Sequence, residues 1–222
     1  MTGQSTLLDE KTPTFKFSTL NIFRKVDRGQ RKKIYSVLRL QRKLDLETAK
    51  FQSLSALKCV SGCGHCCENP HVETTVLEML PLAVEFWRRN EAENFLKEFS
   101  EDESKGICHF YRPDPLREGQ GRCSVYPLRP LLCRLFGFAG RVNKNGRTEF
   151  MTCSVIKSSF PGNCRRTQGL LDKGLAIPLT ADYAMQLYQI DPQWSSRRFP
   201  INQAFKIALE KVGLLLELSG QK

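Results

Sequence analysis

Cys59-Val60-Ser61-Gly62-Cys63-Gly64-His65-Cys66-Cys67, CVSGCGHCC, packs four cysteines into nine positions and ends on an adjacent pair. Such a run is a disulfide staple, a metal site, a redox centre or an accident. Gly62 and Gly64 free the backbone on either side of Cys63, and the stretch lacks a helical period. It therefore reads as a loop on which sulfurs converge, with the fold arranged around it.

The rest of the chain decides between these options. Its 222 residues, 41% hydrophobic and 26% charged, suffice for one domain that buries a core without staples. The first twenty residues show no basic segment followed by an apolar one, so no secretory signal is expected. The longest apolar tract, Val212 to Leu216 with Gly213 inside it, falls far short of the roughly 20 residues of a membrane helix. No membrane partner is expected, and the cytoplasm is the expected compartment. Thiols stay reduced there, and clustered thiols bind metal or do chemistry more often than they pair. The nine cysteines are also an odd number, and adjacent cysteines bridge each other only through a strained ring.

Charge is uneven. Residues 1–58 carry 13 Lys/Arg against 5 Asp/Glu, residues 68–107 carry 4 against 10, and residues 108–170 carry 11 against 3, within a net +11. An acidic partner such as nucleic acid suits this balance. No nucleic-acid motif accompanies it, so a soluble basic surface is the preferred reading.

Periodicity gives the elements around the loop. Residues 29–58 form a basic amphipathic helix with Ile34, Val37, Leu38, Leu44 and Phe51 near one face. Residues 1–28 before it are irregular. Thr75-Val76-Leu77-Glu78 has capping-box form and opens a second helix, which Pro81 is expected to kink or restart. Residues 104–134 are expected to be mostly loop, broken by prolines and glycines. Asn143-Lys144-Asn145-Gly146 separates two β-prone runs and predicts a hairpin, with Phe136, Phe138 and Phe150 in its core. Residues 154–180 resist assignment. A short helix is expected over 180–190 with Thr180 as its cap. A last one follows with Asn202 as its cap, Phe205, Leu209, Val212 and Leu216 as its apolar stripe, and Gly220 at its end. The fold class is mainly α with a small β-hairpin, helices surrounding a loop-rich cysteine and metal core. The chain divides into the irregular segment 1–28, the basic helix 29–58, a cysteine-cluster metal-binding domain 59–170 and a helical segment 171–222 packing on it.

Cys63-Gly64-His65-Cys66 has the two-residue spacing that lets both sulfurs reach one ion. Side chains of neighbouring residues diverge, so Cys66 and Cys67 are expected to serve two metals or one polynuclear cluster. A second constellation runs from Cys123 to Cys133, where Pro127 and Pro130 stiffen the loop. Arg129 and Arg134 stand in it either as donors to anionic sulfur or as partners of a carboxylate on the acidic helix. Cys108 and Cys153 complete a set of eight thiols, and Cys164 is left over. His65, His71 and His109 are not counted as ligands.

The joint pattern, Cys59-x-x-x-Cys63-x-x-Cys66-Cys67, then Cys108, then Cys123-x-x-Tyr126-x-x-Arg129-Pro130-x-x-Cys133-Arg134-x-Phe136, resembles the YkgJ-type CxxCxxCC cysteine-cluster family of zinc- or iron-chelating domains. The match runs from about Cys59 to about Cys153. Where many relatives show a proline after the Arg-x-Phe stretch, this chain has Gly137-Phe138. The resemblance implies that Cys59, Cys63, Cys66, Cys67, Cys108, Cys123, Cys133 and Cys153 are metal ligands. It implies an iron-sulfur cluster or iron, or alternatively zinc, as the cofactor. A redox-active or catalytic centre is one expectation. A structural zinc module that mediates protein or nucleic-acid interaction through the basic faces is the alternative. A related group methylates flagellin lysines with S-adenosylmethionine. No glycine-rich nucleotide loop follows a strand here, so that activity is not carried over. Catalytic residues and substrate stay unassigned.

Overall fold

The computed structural model describes residues 27–99, 106–117 and 120–220. The irregular stretch expected over residues 1–28 lies almost wholly outside them. Helix accounts for 60% of the described residues, among which strands occur only as two-strand antiparallel pairs, so the class is mainly α with small hairpins, as expected. In order, the elements are α1 (Arg28–Ser55), α2 (His65–Glu68), β1 (Glu73–Thr75), α3 (Val76–Arg88), α4 (Ala92–Glu98), β2 (Tyr111–Pro113), β3 (Gly121–Cys123), α5 (Leu131–Leu135), β4 (Ala139–Val142), β5 (Thr148–Met151), α6 (Ser154–Ser159), α7 (Pro161–Asp172), α8 (Thr180–Ile190), α9 (Pro192–Ser195), β6 (Arg198–Pro200) and α10 (Ile201–Leu218).

The core forms where α10 packs along α3, and α1 packs against α3 as well. Phe205, Leu209 and Val212 of α10 are fully buried, as are Leu77 and Leu80 of α3 and Ile34, Val37 and Leu44 of α1. Each side chain of this size contributes about 1.5–3 kcal/mol on burial. Trp87 seals the α3–α10 contact. Its ring covers Gly213, where a Cβ would come within 2.6 Å of it, and its Nε1 donates to the Leu209 carbonyl at 2.9 Å. A smaller cluster of Phe51, Leu57, Phe138, Ile156 and Leu171 joins the end of α1 to the hairpin and to α6 and α7.

The capping box opens α3 as expected. Glu78 N–H donates to Thr75 Oγ1 at 3.3 Å, and Thr75 N–H donates back to Glu78 Oε1. Pro81 does not restart the helix. Val76 to Glu85 are all buried, and packing on several sides outweighs the roughly 3 kcal/mol that an internal proline costs. The hairpin pairs Ala139 with Met151 and Val142 with Thr148 around the Asn-Gly turn. Phe138 is buried and Phe150 half-buried, but Phe136 is 39% exposed and so is not a core residue. Residues 180–190 are helical, with Leu179 rather than Thr180 at the cap position. Asn202 does not cap α10 either: Pro200 holds that position, and Asn202 lies inside the first turn. Gly220, at φ +65°, follows the helix and donates its N–H to Glu217.

Residues 104–134 are less irregular than expected. β2 and β3 pair Tyr111 with Cys123, and α5 carries Cys133. Three residues per strand give too little alternation to be read from sequence.

Candidate metal centre

The segment expected to be pure loop contains one helical turn. Gly64 opens it at φ +49°. The Cys67 N–H donates to the Gly64 carbonyl at 2.8 Å, and the Cys63 N–H to Val60 at 3.1 Å. Two successive turns thus gather Cys63, Cys66 and Cys67. Two further backbone bonds bring the distant cysteines to them. Gly121 N–H donates to the Gly62 carbonyl at 2.7 Å, which sets β3 and Cys123 beside the turn. Cys108 N–H donates to the Cys67 carbonyl at 3.1 Å. The approach is too close for any side chain at 64, since a Cβ there would lie 2.7 Å from the Gly121 carbonyl carbon.

The Asn202 side chain holds the Cys108 loop from the far end of the chain. Its Oδ1 accepts from the His109 N–H at 2.9 Å, and its Nδ2 donates to the Ile107 carbonyl at 3.0 Å. Cys108 sits between these two anchored residues.

All eight sequence-predicted ligands, Cys59, Cys63, Cys66, Cys67, Cys108, Cys123, Cys133 and Cys153, line one cavity of about 370 Å³. Cys164 does not. It lies in the smaller core cluster, its thiol against the Ile156 carbonyl. Cys153 reaches the cavity as the N-cap of α6, its sulfur accepting from Ile156 N–H at 3.4 Å. Cys67 is the centre of the sulfur group, in hydrogen-bonding contact with Cys66, Cys108 and Cys123. Cys66 and Cys67 both belong to α2 and both line the cavity, their thiols in hydrogen-bonding contact. Among the described residues no three His, Cys, Asp or Glu groups stand in a finished coordination geometry. Protonated thiols bond S–H to sulfur, and metal binding removes those protons. Soft sulfur donors suit zinc, iron and iron–sulfur clusters, so the donor set fits the implied metals.

Electrostatics divides the thiols. The hydrogen bond from Cys67 lowers Cys66 to about 6 against the pull of burial, with help from Arg129. It likewise lowers Cys123 to about 7, aided by the Val125 N–H and Arg129. Cys108 is lowered by its bond with Cys67. Cys67 itself, hydrogen-bonded to three sulfurs, is pushed well up. Burial, and then neighbouring thiolates, push up Cys133 and Cys59.

The two arginines part company. Arg129 stacks on Tyr126 at 3.5 Å, lines the cavity and faces the thiols. Arg134 is buried and tied to Asp45 of α1 and to the carbonyls of Arg129 and Pro127. Its carboxylate partner is thus real but sits on the basic helix, not the acidic one. His65 lines the cavity with its Nδ1 3.2 Å from Glu68, whose other oxygen accepts from the Tyr111 hydroxyl. His109 packs edge-on against Phe95. Neither His109 nor His71 reaches the cavity.

Thr48 and Gln52 of α1 also line it, and the buried Thr48 Oγ1 has no hydrogen-bond partner. Sequence reasoning missed both. The signal was available: Thr48 follows Leu44 by one turn on the apolar face, where a hydroxyl is out of place.

Residues 58–156 match the family model CxxCxxCC, described as "Putative zinc- or iron-chelating domain". The segment is similar to that family. The CxxCxxCC match begins at the last residue before Cys59 and ends within α6, so it contains all eight cavity cysteines and excludes Cys164. It covers under half of the chain, leaving α1 and α7 to α10 outside. Its description gives metal binding, with zinc or iron as the metal. No curated protein and no solved structure matches the chain. Among the described residues no helix is long and apolar enough to cross a membrane.

Proposed function

We propose that this chain holds a polynuclear metal–thiolate centre, an iron–sulfur cluster or a group of zinc or iron ions, with the eight cavity cysteines as ligands. The observation that carries this reading is that eight thiols, spread over 95 sequence positions from Cys59 to Cys153, line one cavity while the ninth does not. One tetrahedral zinc takes four. The argument for more than one metal ion rests on that number.

Such a centre would supply electron transfer or Lewis acidity. The protein's own part is legible. Arg129 offsets thiolate charge, and hydrogen bonds within the sulfur group keep Cys66 and Cys123 ready to ionise. Val72, Met79, Leu82 and Phe110 restrict water. A cavity of about 370 Å³ is within the range that takes small organic ligands, which supports a catalytic or redox role with a substrate. Free thiols are needed, so we place the protein in a reducing compartment such as the cytoplasm.

The second reading is a structural zinc module. Cys59, Cys63, Cys108 and Cys153 sit outside helices and strands, and the other four sit on elements of three to five residues, short enough to need a metal to hold them. Purification without oxygen, a visible spectrum, and assays of zinc, iron and acid-labile sulfide separate the two. Brown protein with sulfide supports the cluster. Colourless protein with one zinc per chain that unfolds with chelator supports the module, and metal-free protein with all thiols titratable sinks both. Cys67→Ser is expected to lose metal and Cys164→Ser to keep it.

A further inference from the structure

The outer face of α1 is a cationic ridge. At 3.6 residues per turn, its buried face is centred on Val37, Leu44 and Ser55. Arg28, Lys32, Arg39, Arg42 and Lys50 lie within about 40° of the opposite line, and all five are exposed. The helical rise spaces them over about 33 Å. No Asp or Glu of α1 lies on this line. Asp45 is drawn to Arg134, and Glu47 accepts from the Tyr183 hydroxyl at 2.8 Å. Lys33 and Lys43, off the line, are the α1 cations that do pair, with Asp191 and Glu47. Among the described residues none of the five ridge cations has an ion-pair partner.

This arrangement works against the helix. Like charges one turn apart, such as Arg28 and Lys32, destabilise a helix. Arg28 and Lys32 also stand at the positive end of the helix dipole, opposed by the Asp27 cap, whose carboxylate already accepts from Gly29 and Gln30. A merely solvated helix face intersperses signs. A single-sign ridge recovers its cost when an anionic partner lies along it.

We propose that this ridge binds the phosphodiester backbone of a nucleic acid. A membrane surface fits less well, because a helix lying on lipid buries an apolar face, and Leu46 is the one large aliphatic side chain on the ridge line. The straight 33 Å row matches a turn of duplex, about 34–36 Å. This site is separate from the thiol cavity and independent of which metal fills it.

The test uses the full chain and fluorescence anisotropy with a 20-base-pair DNA duplex and a 20-nucleotide RNA from 50 to 200 mM salt. Five phosphate contacts give a slope of log affinity against log salt of about −4.5 on duplex, a loss of about 500-fold over that range. On the single strand the slope is about −3.5. The triple variant Arg39→Gln, Arg42→Gln, Lys50→Gln is expected to flatten the duplex slope to about −1.8, with circular dichroism and metal content unchanged. Steep binding to either probe, flattened in the variant, supports the proposal. No binding at 50 mM salt overturns it. So does the same slope in the variant, or binding to phosphatidylserine vesicles but to neither nucleic acid.

Discussion

Replacing Asn202 with alanine tests how the far end of the chain controls the sulfur site. Asn202 is 2% exposed, and its two hydrogen bonds hold the backbone on each side of Cys108. Asn202→Ala removes the side-chain hydrogen bonds to the His109 N–H and the Ile107 carbonyl. An unsatisfied buried group costs about 1–3 kcal/mol. The Ile107 side chain is 54% exposed, so water reaches part of this loop and the lower half of the range applies. The expected loss is about 2–4 kcal/mol, or about 4–16 °C in Tm for a chain of this size. Urea titration under reducing conditions measures it. Alkylation of Cys108, followed by mass spectrometry, reads the local effect: this 6% exposed thiol is expected to react much faster in the variant. Asn202→Asp keeps the acceptor for His109 but sets carboxylate oxygen against the Ile107 carbonyl, and should fall between. A stability change below about 0.5 kcal/mol with Cys108 still slow to label would refute the argument.

Gly64→Ala should destabilise by about 2–4 kcal/mol, from left-handed backbone strain plus a clash with the Gly121 backbone; thermal unfolding and loss of bound metal both report it. Glu78 accepts from Thr75 with one oxygen and from Leu132 N–H with the other, so Glu78→Ala should cost about 2–3 kcal/mol in urea unfolding. Burial pulls the Glu85 pKa up, but hydrogen bonds from Arg88 and Arg89 outweigh it and hold the carboxyl below its ordinary value. Its contribution is thus complete above its unfolded pKa of about 4.3 and is lost as pH falls through the depressed value. The acid limb of a stability–pH curve should be shallower for Glu85→Gln, and an unchanged limb would count against the pairing.

Much of the helical frame was legible because burial on one face leaves a 3.6-residue imprint. Ile34, Val37, Leu44 and Phe51 announce α1, and Phe205, Leu209, Val212 and Leu216 announce α10. The Thr75–Glu78 box and the Asn145-Gly146 turn are local chemistry acting over four residues, and they sit where spacing puts them. The set of eight thiols was also nameable from sequence, since metal ligation demands reactive groups at restricted intervals.

What failed were assignments that depend on remote partners. Asn202 reads as a cap because its neighbours suggest a helix start. Only the folded chain brings residues 107–109 to it across more than ninety positions. Arg134 reads either as a thiolate donor or as a partner of a carboxylate on the acidic helix until α1 delivers Asp45. By itself the sequence determined the helical class, the capping box, the hairpin and which cysteines could matter. The tertiary structure alone decided that those cysteines share a cavity, that Arg134 is tied to Asp45 while Arg129 stacks on Tyr126 beside them, and that five cations of α1 point away from the core in one row. Local propensity acts through neighbours in the chain, whereas each of those outcomes is set by groups that only folding makes neighbours.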